Sequence, residues 1–260
     1  MDEQSVARAA STIRDLWARS AQIPDLPLDI RPATLDEGWA VQRALDARLG
    51  PIGGWKLAAT SPTGQAMIGV DAPLLGALYA STLLADGATV VPTWMGVVEA
   101  EFAFRIRGDL PIRATPFTRH DLLPHIDAAL AGLEVPESRL SSYPKTGGPQ
   151  MVADGMCAAW YVVGSPLPMA LADLPATELV IHRNSVAGDR KHGTDILGDP
   201  VEALVFLANS LAVKGQHLRD GDIVTTGGCA VITEVVDGDV ITATYDGVES
   251  VRLTVSSVPS

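Results

Sequence analysis

The sequence predicts an α+β fold, a helical N-terminal region followed by a sheet-rich remainder. Three observations carry this. The first fifty residues hold two runs of helical periodicity parted by proline-rich text; the texture changes at Gly53 and Gly54 to short alternating runs punctuated by glycine and proline; and the strand-helix alternation of a doubly wound sheet is not visible. A mainly antiparallel or mixed sheet is therefore expected, with a soft boundary near residue 52 that divides a helical region, 1–51, from a sheet-rich region, 52–260.

The first helix places Val6, Ala9, Ala10, Ile13, Leu16 and Trp17 at helical spacing, and the stretch IPDLPLDIRP stops it. Thr34 and Glu37 stand at capping-box spacing ahead of Trp39, Val41 and Leu45, so a second helix starts there and ends at Gly50 and Pro51. GWKLAATS and GVDAPLLGALYAS read as strand and loop. In VVEAEFAFRI, residues 97–106, Val98, Ala100, Phe102, Phe104 and Ile106 alternate with Val97, Glu99, Glu101, Ala103 and Arg105, which predicts a strand with one core face. A helix is expected at about 119–133. Asp199, Pro200 and Glu202 open another as N-cap, N1 and N3, with Leu204, Leu207, Ala208 and Leu211 on its inner stripe and Gly215 as its stop. Asp-Gly turns at 237 and 246 between alternating runs predict an antiparallel meander at the end.

With 260 residues, 47% hydrophobic and 19% charged, the chain lies in the globular range. Its formal charge of −12 argues against nonspecific binding to nucleic acid or to an anionic membrane. No uninterrupted apolar run suggests a membrane span, and the start MDEQSVARAA lacks the basic-then-apolar order of a signal peptide, so a cytoplasmic protein is expected. Cys157 and Cys229 form no CxxC and read as buried thiols. GxSxG, Gly-Lys-Ser/Thr and GxGxxG are all absent, which argues against an α/β-hydrolase, a P-loop NTPase and a Rossmann dehydrogenase.

Glu99 and Glu101 lie two apart on one strand face, with β-carbons roughly 7 Å apart, so both can converge on a single ion. Glutamate is a poor strand former, and the plain alternative is a solvated outer face. Glu134 is a third acid in apolar text, between Leu133 and Val135, returning after one intervening helix. Three carboxylates share a small space at neutral pH only if a cation neutralises them, and all-oxygen ligation selects Mg2+, Mn2+ or Ca2+. Lys56, between Trp55 and Leu57, is either a solvated loop cation or a group that pairs with a substrate carboxylate or carries a proton. None of the five histidines has a ligand spacing such as HExxH; His192, in the polar stretch GDRKHGTD, is the one nearest to a functional context.

Taken in order, GWKLAATS, GVDAPLLGAL, VVEAEFAFRI, GLEVPESRL, LGDPVEALVFLANSLAVKG and LRDGDIVTTGG make a sequence that resembles the 2-keto-4-pentenoate hydratase and 4-oxalocrotonate decarboxylase branch of the fumarylacetoacetate hydrolase superfamily, from about residue 34 to 235. The resemblance implies a mixed β-roll behind the helical region and an oligomer, with a decarboxylase of the same pathway as a second partner. It also implies metal ligands Glu99, Glu101 and Glu134, an active-site Lys56, and Mg2+ or Mn2+ acting on a small 2-keto or 2-hydroxydienoic acid. The expected reaction is hydration of a 2-hydroxy-2,4-dienoate through an enolate to a 4-hydroxy-2-keto acid. Decarboxylation of the 4-oxalocrotonate type is the alternative, and a catalytically idle oligomeric partner of a pathway enzyme is a third reading. The chain departs from the family pattern at Leu74, where GVDxPD has its second acid, at Gly155 and Cys157, where ADNAS has Asn and Ser, and at Pro136 in EVPES. Leu74, the retained Asp71, and Cys157 are accordingly candidates for the substrate pocket.

Overall fold

A computed structural model describes residues 1–92 and 94–257. Helix α1 (Glu3–Ala18) begins at Asp2, whose side chain accepts the Ser5 N–H. Helix α2 (Leu35–Leu49) begins at Thr34, which accepts the Glu37 N–H, and ends at Gly50 in a positive-φ conformation. The other half of the expected capping box is displaced by one residue, because Glu37 accepts from the Ala33 N–H. The two helices bury Ala9, Ala10, Ile13, Val41 and Leu45 with Leu26, Leu140 and Ala153 in a small core of their own. Trp39 of α2 reaches the larger core and stacks on Trp55, ring centroids 6.0 Å apart.

Thirteen strands follow among the described residues: β1 (Ile52–Ala58), β2 (Leu74–Tyr79), β3 (Leu83–Ala85), β4 (Thr89–Val90), β5 (Val98–Ile106), β6 (Ile126–Val135), β7 (Trp160–Pro166), β8 (Glu178–Arg183), β9 (Val186–His192), β10 (Ile223–Thr225), β11 (Ala230–Ile232), β12 (Val240–Tyr245) and β13 (Val248–Val255). They make two curled mixed sheets. One has the order β2-β1-β10-β5-β6-β7-β3, with β11 also paired to β5; the other has the order β4-β13-β12-β8-β9. Phe102 of β5 and Tyr245 of β12 meet edge to face at 5.2 Å, so the sheets pack on each other through one core.

Strand β5 organises the site. Its second half pairs with β10, its first residues pair with β11, and its other edge pairs along its length with β6. Both of its faces are covered, so the expected single core face is corrected: Glu101 is fully buried rather than on a solvated side. The helix expected at 119–133 is also corrected. Helix α4 (Arg119–Leu122) is one turn long, Pro124 follows it, and residues 126–135 are strand β6. The run IDAALAGLEV suits a helix by local propensity, but here it is buried along nearly its whole length between β5 and β7, and pairing with those strands outweighs the propensity.

A short helix, α3 (Pro62–Ile68), lies between the stretches GWKLAATS and GVDAPLLGALYAS and begins at Ser61, which accepts the Gly64 N–H. Helix α5 (Gly148–Ala153) packs against α2, and Gln42 of α2 donates to the Val152 carbonyl at 2.6 Å. Helix α6 (Pro200–Val213) is capped by Asp199 as expected and buries Leu204, Leu207, Ala208 and Leu211. With the preceding turn, Gly193–Val213 is apolar and long enough by composition to cross a membrane, at a mean hydropathy of 1.5, yet only its last 14 residues are α-helix and their inner face lies in the core.

The meander is half right. Asp246 and Gly247, both at positive φ, turn β12 into β13. The run before Asp237 belongs to the other sheet, because β11 pairs with β5 rather than with β12.

Candidate metal centre

The alternation of β5 sends Glu99 and Glu101 to the same side, and the register of β6 sets Glu134 directly opposite Glu99. The third acid thus arrives on the neighbouring strand, not after a helix as the sequence reading had it. One carboxylate oxygen from each of the three lies within 4.8 Å of the others. Glu101 and Glu134 are buried and Glu99 is half-buried. Lys56 of β1, also buried, donates to Glu134 Oε1 and, at 3.1 Å, to the Met156 carbonyl.

The cluster is short of positive charge. Each pair of ionised carboxylates at such a spacing repels by roughly 3–4 kcal/mol at an effective dielectric of about 20, and one ammonium cannot balance three acids. Burial, then the charge of Glu134, pushes the Glu99 carboxyl up to about 7, with Lys56 opposing; the same causes hold Glu101 well above the usual carboxylate range. Burial alone would lower the Lys56 ammonium, but the charges of Glu134, Glu101 and Glu99 prevail and hold it above an ordinary lysine. Hydrogen bonding is incomplete too. Glu101 Oε2 accepts from the Gly227 N–H at 3.2 Å, while Glu101 Oε1 and Glu134 Oε2 are buried with no hydrogen-bond partner. Orphaned buried oxygens in an all-carboxylate set fit a hard divalent cation: they offer the free lone pairs such an ion takes up, and its charge offsets the excess.

Backbone geometry keeps the cluster open. A β-carbon on Gly228 would come 2.3 Å from Glu99 Oε2, so any larger residue would displace that carboxylate. Gly155, Met156 and Cys157 all have positive φ, a strained run for the two non-glycine residues, and it is this turn that aims the Met156 carbonyl at Lys56. A cavity of about 160 Å³ adjoins the cluster, with Lys56, Glu99, Tyr143, Met151 and Cys157 on its wall.

Of the residues singled out in the sequence, Glu99, Glu101, Glu134 and Lys56 come together, and Cys157 lines the adjoining cavity. Burial pushes the Cys157 thiol up to about 12, which keeps it protonated. Asp71 and Leu74 do not line the cavity. Asp71 is exposed in the turn after α3, and Leu74, where β2 begins, packs into the core, so their candidacy for the pocket is corrected. His192 ends the exposed strand β9, and no histidine lines the cavity among the described residues. Sequence reading missed the Met156 carbonyl, Tyr143, Met95 and Gly228, which reach the site from loops. Only the glycine-rich text TTGG hinted at one of them.

A family profile described as fumarylacetoacetate (FAA) hydrolase C-terminal matches residues 57–256. A 2-keto-4-pentenoate hydratase of Burkholderia vietnamiensis is 30% identical over 97% of this chain and 98% of its own, and one of Paraburkholderia phymatum is 34% identical over 78% of each. Among solved structures, the 4-oxalocrotonate decarboxylase of Pseudomonas putida G7, complexed with magnesium and adipate, superposes with a TM-score of 0.87 at 26% identity over 98% of both chains; the same enzyme is also known with calcium and acetate. Profile, near full-length relatives and shared architecture agree: the chain belongs to the fumarylacetoacetate hydrolase family.

Proposed function

We propose that this protein is a divalent-metal-dependent lyase that hydrates a small 2-hydroxy-2,4-dienoic acid to a 4-hydroxy-2-keto acid, with Mg2+ or Mn2+ held by Glu99, Glu101 and Glu134. The observation that carries the reading is the buried triad itself, three acids within 4.8 Å with two oxygens unpartnered. The relatives named hydratase support the substrate class. A cation at the triad supplies positive charge beside the acid's carboxylate and 2-oxygen, where negative charge grows as the dienol becomes an enone.

The chain's own groups do the rest. In the tautomerisation the 2-hydroxyl gives up its proton and carbon 5 gains one; water then adds its hydroxyl at carbon 4 and its proton at carbon 3. Lys56, kept as an ammonium by the acids around it and lying on the cavity wall, carries a proton at Nζ within reach of a bound acid or anchors the acid's carboxylate. We place the enzyme in the cytoplasm as a homo-oligomer, which light scattering on the purified protein checks.

Isothermal titration with Mg2+ and Mn2+ tests the site: wild type should bind one ion per chain and Glu101→Ala none, and equal binding by both would eliminate it. Decarboxylation is the second reading, favoured by the structural likeness to the Pseudomonas putida decarboxylase. Incubation with 2-hydroxypenta-2,4-dienoate and with 4-oxalocrotonate, followed by ultraviolet absorbance, separates the two. Decay of the first supports hydration, decay of the second supports decarboxylation, and decay of neither removes both.

A further inference from the structure

Tyr161 of β7 is fully buried, and its hydroxyl has no hydrogen-bond partner among the described residues. The chemistry proposed above does not use it, yet its place in the sheet is close to the triad. Tyr161 stands opposite Glu134 in the pairing of β6 with β7, and Glu134 stands opposite Glu99 in the pairing of β5 with β6, so the three share one face. Glu101 shares that face too, and the residue opposite it on β6 is Gly132. A β-carbon on Gly132 would come 1.8 Å from Tyr161 Oη and 2.4 Å from its Cζ. The phenol therefore lies across β6 with its hydroxyl in the place of a residue-132 side chain, beside Glu101.

Two local disadvantages accompany this placement. Gly132 is in mid-strand and outside the positive-φ positions, so its missing side chain serves space and not conformation, although glycine weakens a strand. A phenylalanine at 161 would fill the same volume without stranding a hydroxyl, and a buried donor left unpaired is unfavourable. Tyr245, the other tyrosine at this crossing, is satisfied: its hydroxyl accepts from the Gly132 N–H at 3.4 Å and donates to the Glu101 carbonyl. The groups that share the deficit of Tyr161 are the acids themselves, since Glu101 Oε1 and Glu134 Oε2 are buried without a partner as well. Burial, and then the charge of Glu101, keep the phenol protonated, so toward a carboxylate it is a donor. A stranded donor and stranded acceptors on one buried face are complementary.

We propose that Tyr161 is a positioning residue for the metal ligands: its hydroxyl donates to Glu101 when that carboxylate holds a divalent ion, and so fixes the carboxylate's orientation, with Gly132 leaving room for it. The inference rests on the metal reading above and extends it from the oxygens that hold the ion to the group behind them. Tyr161 is not on the wall of the adjoining cavity, so its part is with the ligands and not with the substrate. A ligand carboxylate hydrogen-bonded from behind is kept in one orientation, and losing such a partner weakens metal binding by about ten- to a hundredfold.

Tyr161→Phe tests this, because it removes the hydroxyl and keeps the ring. By isothermal titration the variant should bind Mg2+ about tenfold more weakly than wild type. In chelator its denaturant midpoint should stay level with wild type or rise, since only an unpaired group is lost. Adding Mg2+ to wild type should also give an ultraviolet difference band of the phenol that is larger than the band in Tyr161→Phe. A purely structural tyrosine gives the reverse pattern, a lower midpoint with unchanged Mg2+ affinity. Equal affinity in the two proteins, difference bands of equal size, or weaker affinity accompanied by a fallen midpoint in chelator overturns the assignment. Each of these leaves the metal site standing, because wild type still binds. If wild type binds no Mg2+, the metal reading fails and the assignment with it.

Discussion

Among the described residues, two buried ionic clusters differ in one respect that separates structure from function. Arg139 and Asp154 are as buried as the acid triad, yet they are complete. Arg139 Nε donates to Asp154 Oδ1 at 2.6 Å, Nη1 to the Ala158 carbonyl at 3.0 Å and Nη2 to the Asp154 carbonyl; Asp154 Oδ2 accepts from the Arg139 N–H and the Ser138 hydroxyl. The guanidinium also lies over the Trp17 ring at 4.3 Å and ties α1 to the β-roll. One positive and one negative charge cancel, and the network ties the two ends of the connection between β6 and β7 together. The triad, by contrast, has three acids against one ammonium and two orphaned oxygens. A buried charge network that balances holds the fold together; one that does not has its partner outside the polypeptide.

That contrast can be broken by experiment, starting with the largest effect. Arg139→Ala leaves Asp154 buried and unpaired and should cost about 3–5 kcal/mol, seen as a fall in melting temperature on the order of 10 °C. An unchanged melting temperature would mean that the complete cluster is not structural. Saturating Mg2+, at about a hundred times its Kd, should stabilise the wild type by about 2.7 kcal/mol in denaturant melts and leave Glu101→Ala unmoved. Gly228→Ala keeps every acid but pushes Glu99 aside, and should weaken Mg2+ binding about tenfold with little change in the stability of the chelated protein. Glu101→Gln replaces a carboxyl that must take up a proton on folding with a neutral amide, so the chelated protein should gain about 1 kcal/mol near neutral pH even as metal binding is lost, the opposite sign to Arg139→Ala.

The pH dependence tests the same contrast. The Glu99 carboxyl, pushed up to about 7 by burial and then by Glu134, keeps its proton where an unfolded glutamate with a value of 4.5 has lost it. Its contribution to the stability of the chelated protein is therefore full below about 4.5 and is lost as pH rises through about 7. Denaturant midpoints in chelator should fall across that window. In Mg2+ the trend should reverse, because the ion and the proton compete for the same oxygens.

Local signals made parts of the fold legible. The caps Thr34 and Asp199 act within a few residues of themselves, so α2 and α6 begin where the text says they do. The period-two alternation of β5 likewise announced that Glu99 and Glu101 share a side, and that is so. Strand β6 was not legible, because Leu130, Ala131 and Leu133 are good helix formers and only the flanking strands β5 and β7 make them a strand. The same misreading gave Glu134 the wrong route to the right place. Met156 and Tyr143 could not be found at all, since a backbone carbonyl carries no residue signature and a tyrosine in a loop has no periodicity to place it.

The amino-acid sequence alone determined that two acids lie side by side on a strand, that a third sits in apolar surroundings, and that capped helices flank them, since each follows from spacing over a few residues. Tertiary structure alone decided that the third acid faces the first across a strand pair, that a lysine from a more distant strand joins them, and that a turn at positive φ supplies its second acceptor. These depend on pairings between residues 35, 78 and 100 positions apart, and at such separations strand register and packing, not local preference, choose the neighbours.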